Sequence, residues 1–182
     1  GTAEDYATIK YNSSGDSVWV QRYNGTGNLS DGANSIAVDG SGNVFVTGSS
    51  TGSGTDFDYA TLKYNSSGIL QWLKRYNGPI ISSDYANSIA LDGSGNVYVT
   101  GQSPGSGLSY DYTTIKYNSS GDSVWVKRYN GPANSTDNAN SIALDGSGNV
   151  FVTGQSEGSG TGTDYATVKY SQSVGINQIS SE

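Results

Sequence analysis

The stretch VDGSGNVFVTG, Val38 to Gly48, returns as LDGSGNVYVTG at Leu91 to Gly101 and as LDGSGNVFVTG at Leu144 to Gly154. An alternating apolar run stops at Asp-Gly-Ser-Gly-Asn and resumes as Val-aromatic-Val-Thr-Gly. That is the pattern of a strand, a glycine turn and a second strand. It predicts a β-hairpin made three times, and with no segment that supports a helix of useful length it places the chain in the all-β class.

Working outward from the hairpin, the whole chain repeats. Tyr6, Tyr59, Tyr112 and Tyr165 stand 53 residues apart, as do Trp19, Trp72 and Trp125. Such a period points to a solenoid, a propeller or a tandem array. One period holds four runs of β-branched and aromatic residues with period-2 alternation. In the first period these are DYATIKYN (Asp5 to Asn12), SVWVQRYNG (Ser17 to Gly25), ANSIAVDG (Ala33 to Gly40) and NVFVTG (Asn43 to Gly48). The small residues Ala33, Ser35 and Ala37 suit an innermost strand crowded near an axis. The paired charges Lys74-Arg75 and Lys127-Arg128 suit an outer edge strand guarded against stray pairing. From the inside outward the order is then ANSIA, NVFVTG, DYATIKY, SVWVQRY, lettered A to D.

The expected architecture is four-stranded antiparallel blades in a propeller-like array, with repeats at 5–57, 58–110 and 111–163 and one extra strand at 164–170. Residues 1–170 form this domain and 171–182 a tail or linker. Counted from the N-terminus the strands run C, D, A, B, C, D, A, B, C, D, A, B, C. One copy of strand C is redundant, either Asp5 to Tyr11 or Asp164 to Tyr170. A spare strand of β-forming sequence is a natural donor to a neighbour's sheet. The candidate self-assembly residues are therefore Tyr6, Thr8, Ile9 and Tyr11 at one end, and Tyr165, Thr167, Val168 and Tyr170 at the other. A contact of this heterologous kind gives a ring or a fibre according to its rotation.

The unit A-x-S-I-A-x-D-G-S-G-N-V-Y-V-T-G followed by D-Y-A-T-I-K-Y-N resembles the bacterial β-propeller repeat known as SBBP, from about Asp5 to Tyr170. The resemblance implies a four-stranded blade in a secreted or surface protein, with no shared catalytic residues. The chain departs from the usual pattern in number, since a propeller normally has 4 to 8 blades and three periods are present. The tail, Val174 to Glu182, resembles the linker before the sorting domain of type IX secreted proteins, which implies export to the cell surface. The alternative is a terminus without function.

Composition narrows the chemistry. Cysteine, histidine and methionine are absent, which removes disulfides, thiolate chemistry and histidine bases together. The formal charge of -7, with 9 basic against 16 acidic residues, argues against nucleic acid as a partner. No apolar run is long enough for a membrane helix and no cleavable signal peptide is visible. A start at Gly1 without methionine is expected of a trimmed or processed product. Small polar residues, tyrosine and no oxidisable sulfur suit an extracellular location.

Three constellations carry candidate chemistry. Asp39, Asp92 and Asp145 open loops with oxygen ligands at spacing 1, 3, 5, which admits calcium. No bidentate glutamate follows, so an Asx turn is the favoured reading and no cofactor is expected. Trp19, Trp72 and Trp125 form ladders that could face a sugar ring, with packing against the adjacent blade the favoured alternative. Asn12, Asn65 and Asn118, with Asn24, Asn28 and Asn134, open N-glycosylation sequons, the first three at repeated turns. Carboxylates recur by symmetry, whereas a catalytic pair needs unlike environments, so no enzyme is expected. The expected function is an extracellular structural protein that self-assembles head to tail, as a filament subunit would, with itself as partner. The alternative is a carbohydrate- or protein-binding, lectin-like propeller present as a fragment or protomer, with a surface glycan as ligand. A specific ligand would be met by the loops that break the repeat, 26–31, 49–57, 79–84, 102–110 and 132–138.

Overall fold

The computed structural model describes residues 3–105 and 107–171. The predicted tail at Val174 to Glu182 lies outside the described residues. All regular structure described is β-strand: β1 (Tyr6–Tyr11), β2 (Ser17–Tyr23), β3 (Asp31–Val38), β4 (Val44–Thr51), β5 (Phe57–Tyr64), β6 (Leu70–Tyr76), β7 (Tyr85–Leu91), β8 (Val97–Pro104), β9 (Tyr110–Tyr117), β10 (Ser123–Tyr129), β11 (Asp137–Leu144), β12 (Val150–Gly158) and β13 (Gly162–Tyr170). They form four antiparallel sheets, β1-β2, β3-β4-β5-β6, β7-β8-β9-β10 and β11-β12-β13. The order within each complete sheet is A, B, C, D, as the small residues and the charged pairs predict. Each complete sheet takes strands A and B from one period and C and D from the next. Among the described residues the first sheet therefore lacks A and B, and the last lacks D.

The hairpins close by one device. Asp39 N–H bonds to Asn43 C=O at 3.0 Å and Gly42 N–H to Asp39 C=O at 3.0 Å, with Gly42 at φ +78°. This is a type I turn finished by a left-handed residue, which only glycine adopts without cost. The A-B pairing carries a bulge between Ala33 and Ser35, again between Ala86 and Ser88 and again between Ala139 and Ser141. The extra residue is an asparagine each time, and the bulge turns it out of the ladder toward the next sheet.

Apolar clusters lie between sheets. Tyr6, Val46, Leu62 and Tyr64 join the first sheet to the second. Phe45, Tyr59, Val97, Val99 and Ile115 join the second to the third, and Tyr98, Tyr112, Ile142 and Val152 join the third to the fourth. The sheets thus stand in a row.

Strand B is longer than its sequence suggests. The runs from Ser49 and Gln102, expected as variable loops, begin as strand and continue to Thr51 and Pro104, and Ser50 and Ser103 are fully buried. Their polar groups are tolerated inside because a buried aspartate stands at or just before the start of each strand A. The Asp31, Asp84 and Asp137 carboxylates accept from the Gly25, Gly78 and Gly131 N–H groups at 2.6, 2.7 and 2.6 Å. A side chain on Gly25 would collide with Ser50 Oγ and Asp31 Oδ1, so the Asn-Gly that ends each strand D is required by the clamp.

Candidate assembly interfaces at the two ends of the row

Each seam between sheets is built from the same contacts, offset by one period. The Tyr6 hydroxyl donates to Ala60 C=O at 3.3 Å, Tyr59 to Thr113 C=O at 3.2 Å and Tyr112 to Ala166 C=O at 3.2 Å. The tyrosine of strand C is a peg, and the socket beneath it is kept open by glycine: a Cβ on Gly48 would come within 2.8 Å of the Tyr6 hydroxyl, and one on Gly101 within 2.9 Å of that of Tyr59. Burial, with lesser help from Asp137 and Tyr129, pushes the Tyr112 phenol up to about 12, and burial raises Tyr6 and Tyr59 as well. All three pegs are neutral donors. The bulged Asn34 and Asn87 side chains donate to Ala86 and Ala139 C=O, each at 2.8 Å.

The tryptophans sit in the same seams. Trp19 and Trp72 Nε1–H donate to Ser66 and Ser119 C=O at 3.3 Å. Trp19 packs on Tyr64, Trp72 on Phe45 and Tyr117, and Trp125 on Tyr98 and Tyr170. Trp19, Trp72 and Trp125 are each half-buried in these contacts: the alternation of strand D sets which face carries the indole, and the next sheet lies against that face.

The outer strand also holds a surprise. Arg75, expected as an edge guard, reaches back across its sheet, with Nη2 on Asp58 Oδ2 at 2.7 Å and on Ser50 C=O at 2.6 Å, and Nη1 on Ser50 Oγ at 2.6 Å and the Tyr23 hydroxyl at 3.1 Å. Arg128 repeats the arrangement with Asp111 (3.5 Å), Ser103 C=O (2.6 Å) and the Tyr76 hydroxyl (3.4 Å). The lysine of the pair is the more exposed of the two, and Lys74 lies 3.9 Å from Asp122. Side chains 25 and 52 positions apart converge here, which spacing along one strand does not reveal.

At both ends of the row the seam stands half made. Tyr165 is 85 % exposed, whereas Tyr59 and Tyr112 are fully buried, so this peg has no socket within the described chain. The bulged Asn140 is exposed beside it. Among the described residues Thr167 bonds within its own sheet, to Thr153 Oγ1 at 3.0 Å, while Val168 and Tyr170 pack inward. At the opposite end Tyr6 and Thr8 are buried, but Ile9 and Tyr11 are exposed. Ile36 is 58 % exposed there, against 7 % for its equivalents Ile89 and Ile142. An open groove runs along Ala7, Ile9, Ala33, Ile36 and Val46. One end offers pegs and the other offers an uncovered apolar face.

The sequence model of the SBBP family, described as Beta-propeller repeat, matches residues 18–57, 71–108 and 124–160. These segments make up more than half of the chain. The chain belongs to the SBBP beta-propeller repeat family. No curated protein matches it. The three SBBP matches each run from strand D into the following strands A and B and so cross the boundaries between sheets, which is where the repeated contacts lie.

The hairpin of the SBBP unit uses its aspartate internally. Asp92 Oδ1 accepts from the Ser94 and Asn96 N–H groups at 2.9 Å, and Oδ2 from Asn96 Nδ2 at 2.7 Å and the Tyr98 hydroxyl at 3.0 Å. Asp39 and Asp145 make the same turn bonds. Burial works to raise the Asp92 carboxyl, and the bonds from Asn96, Tyr98 and Ser94 outweigh it, leaving it below the ordinary 3.8. A carboxyl depressed in the folded state stabilises above its unfolded value and loses that contribution as pH falls through the folded one. Asp92→Ala is expected to lower stability by about 2 kcal/mol at neutral pH. The gap to the parent should begin to narrow as pH falls below 3.8. Urea unfolding over a series of pH values from 7 downward checks this, and a gap that widens as pH falls contradicts it.

Proposed function

We propose that this SBBP chain is a non-enzymatic structural subunit, working outside the cell, whose copies join head to tail by exchanging the strands β1 and β13. The observation that carries the reading is the likeness of these two strands and of their seats. YATIKY at 6–11 and YATVKY at 165–170 differ only at Ile9 and Val168. Tyr6 fills the Gly48 and Ala60 socket of the second sheet, and Tyr165 is its repeat equivalent with nothing to enter. If β13 of one copy takes the place of β1 in the next, Tyr165 enters that socket and β2 becomes the missing strand D of the last sheet. The row then continues with three blades per copy.

The exchange itself is close to neutral, since one strand C replaces another. Net stabilisation comes from faces that a lone copy leaves in water. Covering Ile36 and Val38 contributes about 1.5–3 kcal/mol each, against an association cost of about 4–15 kcal/mol. Apolar burial of this size needs directional contacts beside it, and the Asn140 side chain with the Ala33 carbonyl of the next copy supplies one. The extracellular setting rests on a composition without cysteine or methionine and rich in small polar residues.

Light scattering across a range of concentrations, with electron microscopy of the same samples, tests the proposal. Chains or regular fibres that grow with concentration are the expected result. A monomer that persists at high concentration overturns it, as do discrete rings that bind glycan.

A further inference from the structure

The two ends of the row also differ in charge, and this rests on the self-assembly reading above. In the second and third sheets the slot formed by Asp58, Ser50 and Tyr23, and by Asp111, Ser103 and Tyr76, is filled by the arginine of strand D. One period further on the slot is Asp164, Ser156 and Tyr129, in a sheet that has no strand D among the described residues. Thr161 Oγ1 donates to Asp164 Oδ2 at 2.7 Å, just as Thr55 donates to Asp58 Oδ2 at 3.0 Å. The carboxylate is therefore set in position as in the filled slot of Asp58. Ser156 is buried, and Asp137 Oδ1 beside it is buried with no hydrogen-bond partner among the described residues. Both atoms crowd Gly131, at whose Cβ position they converge. At the repeat position that would supply the arginine, the sequence has Ser181.

The matching arginine stands at the other end. Arg22 on β2 is the repeat equivalent of Arg75 and Arg128, and among the described residues its exposed side chain makes no ion pair or hydrogen bond. Its own sheet has no strand B to offer a serine and carbonyl like those of Ser50. Among the described residues one copy thus carries an unfilled arginine slot and an unpartnered arginine on opposite ends of the row.

We infer that Asp164, Ser156 and Tyr129 form a receptor for an arginine side chain, and that its occupant is Arg22 of a second copy. Seated there, the guanidinium repeats the contacts of Arg75: two donors to the Ser156 hydroxyl and carbonyl, one to Asp164 and one to the Tyr129 hydroxyl. The site fixes polarity, because only the β2 end carries the arginine. It also fixes register, because a strand slipped by one residue turns Arg22 to the opposite face. The planar, multidentate fit explains why arginine holds this position in all three copies of strand D while the preceding residue varies between Gln21, Lys74 and Lys127.

The test uses the full chain and two charge reversals, Arg22→Glu and Asp164→Arg. Both residues are exposed, so melting temperatures within about 2 °C of the parent are expected for the isolated variants. Each single variant is expected to raise the concentration for half-assembly at least about tenfold, and an equimolar mixture of the two to assemble more readily than either alone. Binding of a synthetic peptide of residues 17–25 provides a second readout. It is expected to bind the parent chain, and at least about tenfold more weakly when the chain carries Asp164→Arg or the peptide carries Arg22→Glu. Assembly and peptide binding that ignore both reversals overturn the receptor and leave self-assembly standing. A parent that never assembles, yet binds the peptide through Asp164, overturns assembly by a second copy and leaves an arginine site.

Discussion

Arg75→Ala is expected to destabilise the chain by about 3–5 kcal/mol, because it removes one partner of a buried pair and leaves the other in place. The Asp58 side chain is 5 % exposed and that of Arg75 21 %, so water cannot replace the guanidinium around Asp58. The Ser50 carbonyl and hydroxyl lose a partner in the same step. For a chain of this length the loss corresponds to roughly 6–20 °C in melting temperature. The internal control is Arg22→Ala, the same chemical change one period earlier. Arg22 has no described partner within its chain, so in dilute monomer the change should stay within about 0.5 kcal/mol. Urea unfolding of both variants decides the matter. Similar losses at Arg75 and Arg22 would show that the slot contributes nothing, and the argument for an empty slot at Asp164 would fall with it. Combining Arg75→Ala with Asp58→Ala should recover part of the loss, since the penalty lies mainly in the stranded carboxylate.

What the sequence disclosed follows the physics of repetition. The hairpin at Val38 to Gly48 was legible because turn residues and alternation are local signals, and the strand order followed from Ala33, Ser35 and Ala37 being small. The spare copy of strand C followed from counting. The clamp of Asp31 was not legible, because Asp31 stands at the end of a loop whose composition changes from copy to copy, between LSDGAN, SSDYAN and STDNAN. The role of Arg75 was hidden for another reason. Lys74 and Arg75 look alike as a charged pair, and only the pleat of the strand sends one to solvent and the other to Asp58. The tryptophans fall between the two cases: alternation gives the face they occupy, but which sheet covers that face depends on the order of sheets in the row.

Gly101→Ala is expected to cost at least about 3 kcal/mol, from a different cause. The added methyl would fall on the Tyr85 carbonyl oxygen and lie 2.9 Å from both Ala86 Cα and the Tyr59 hydroxyl. Two of these three are backbone atoms of strand β7 at its bulge, so no side-chain rotation relieves the clash. To make room, β7 must move away from β8. That movement loosens the Asn87 bond to Ala139 on one side of the sheet and the Tyr59 bond to Thr113 on the other, and both seams of the central sheet weaken together. Gly93→Ala, in the hairpin of the same sheet, meets no atom within 4 Å and should change stability by less than about 1 kcal/mol. Thermal melting of the two variants separates the explanations. If Gly101→Ala melts with Gly93→Ala, the close approach of strands A and B is not what holds the sheets in register. At Gly48 the same substitution also obstructs the Tyr6 hydroxyl at 2.8 Å, and on the exchange reading it should block entry of Tyr165 from a neighbouring copy through the same atom.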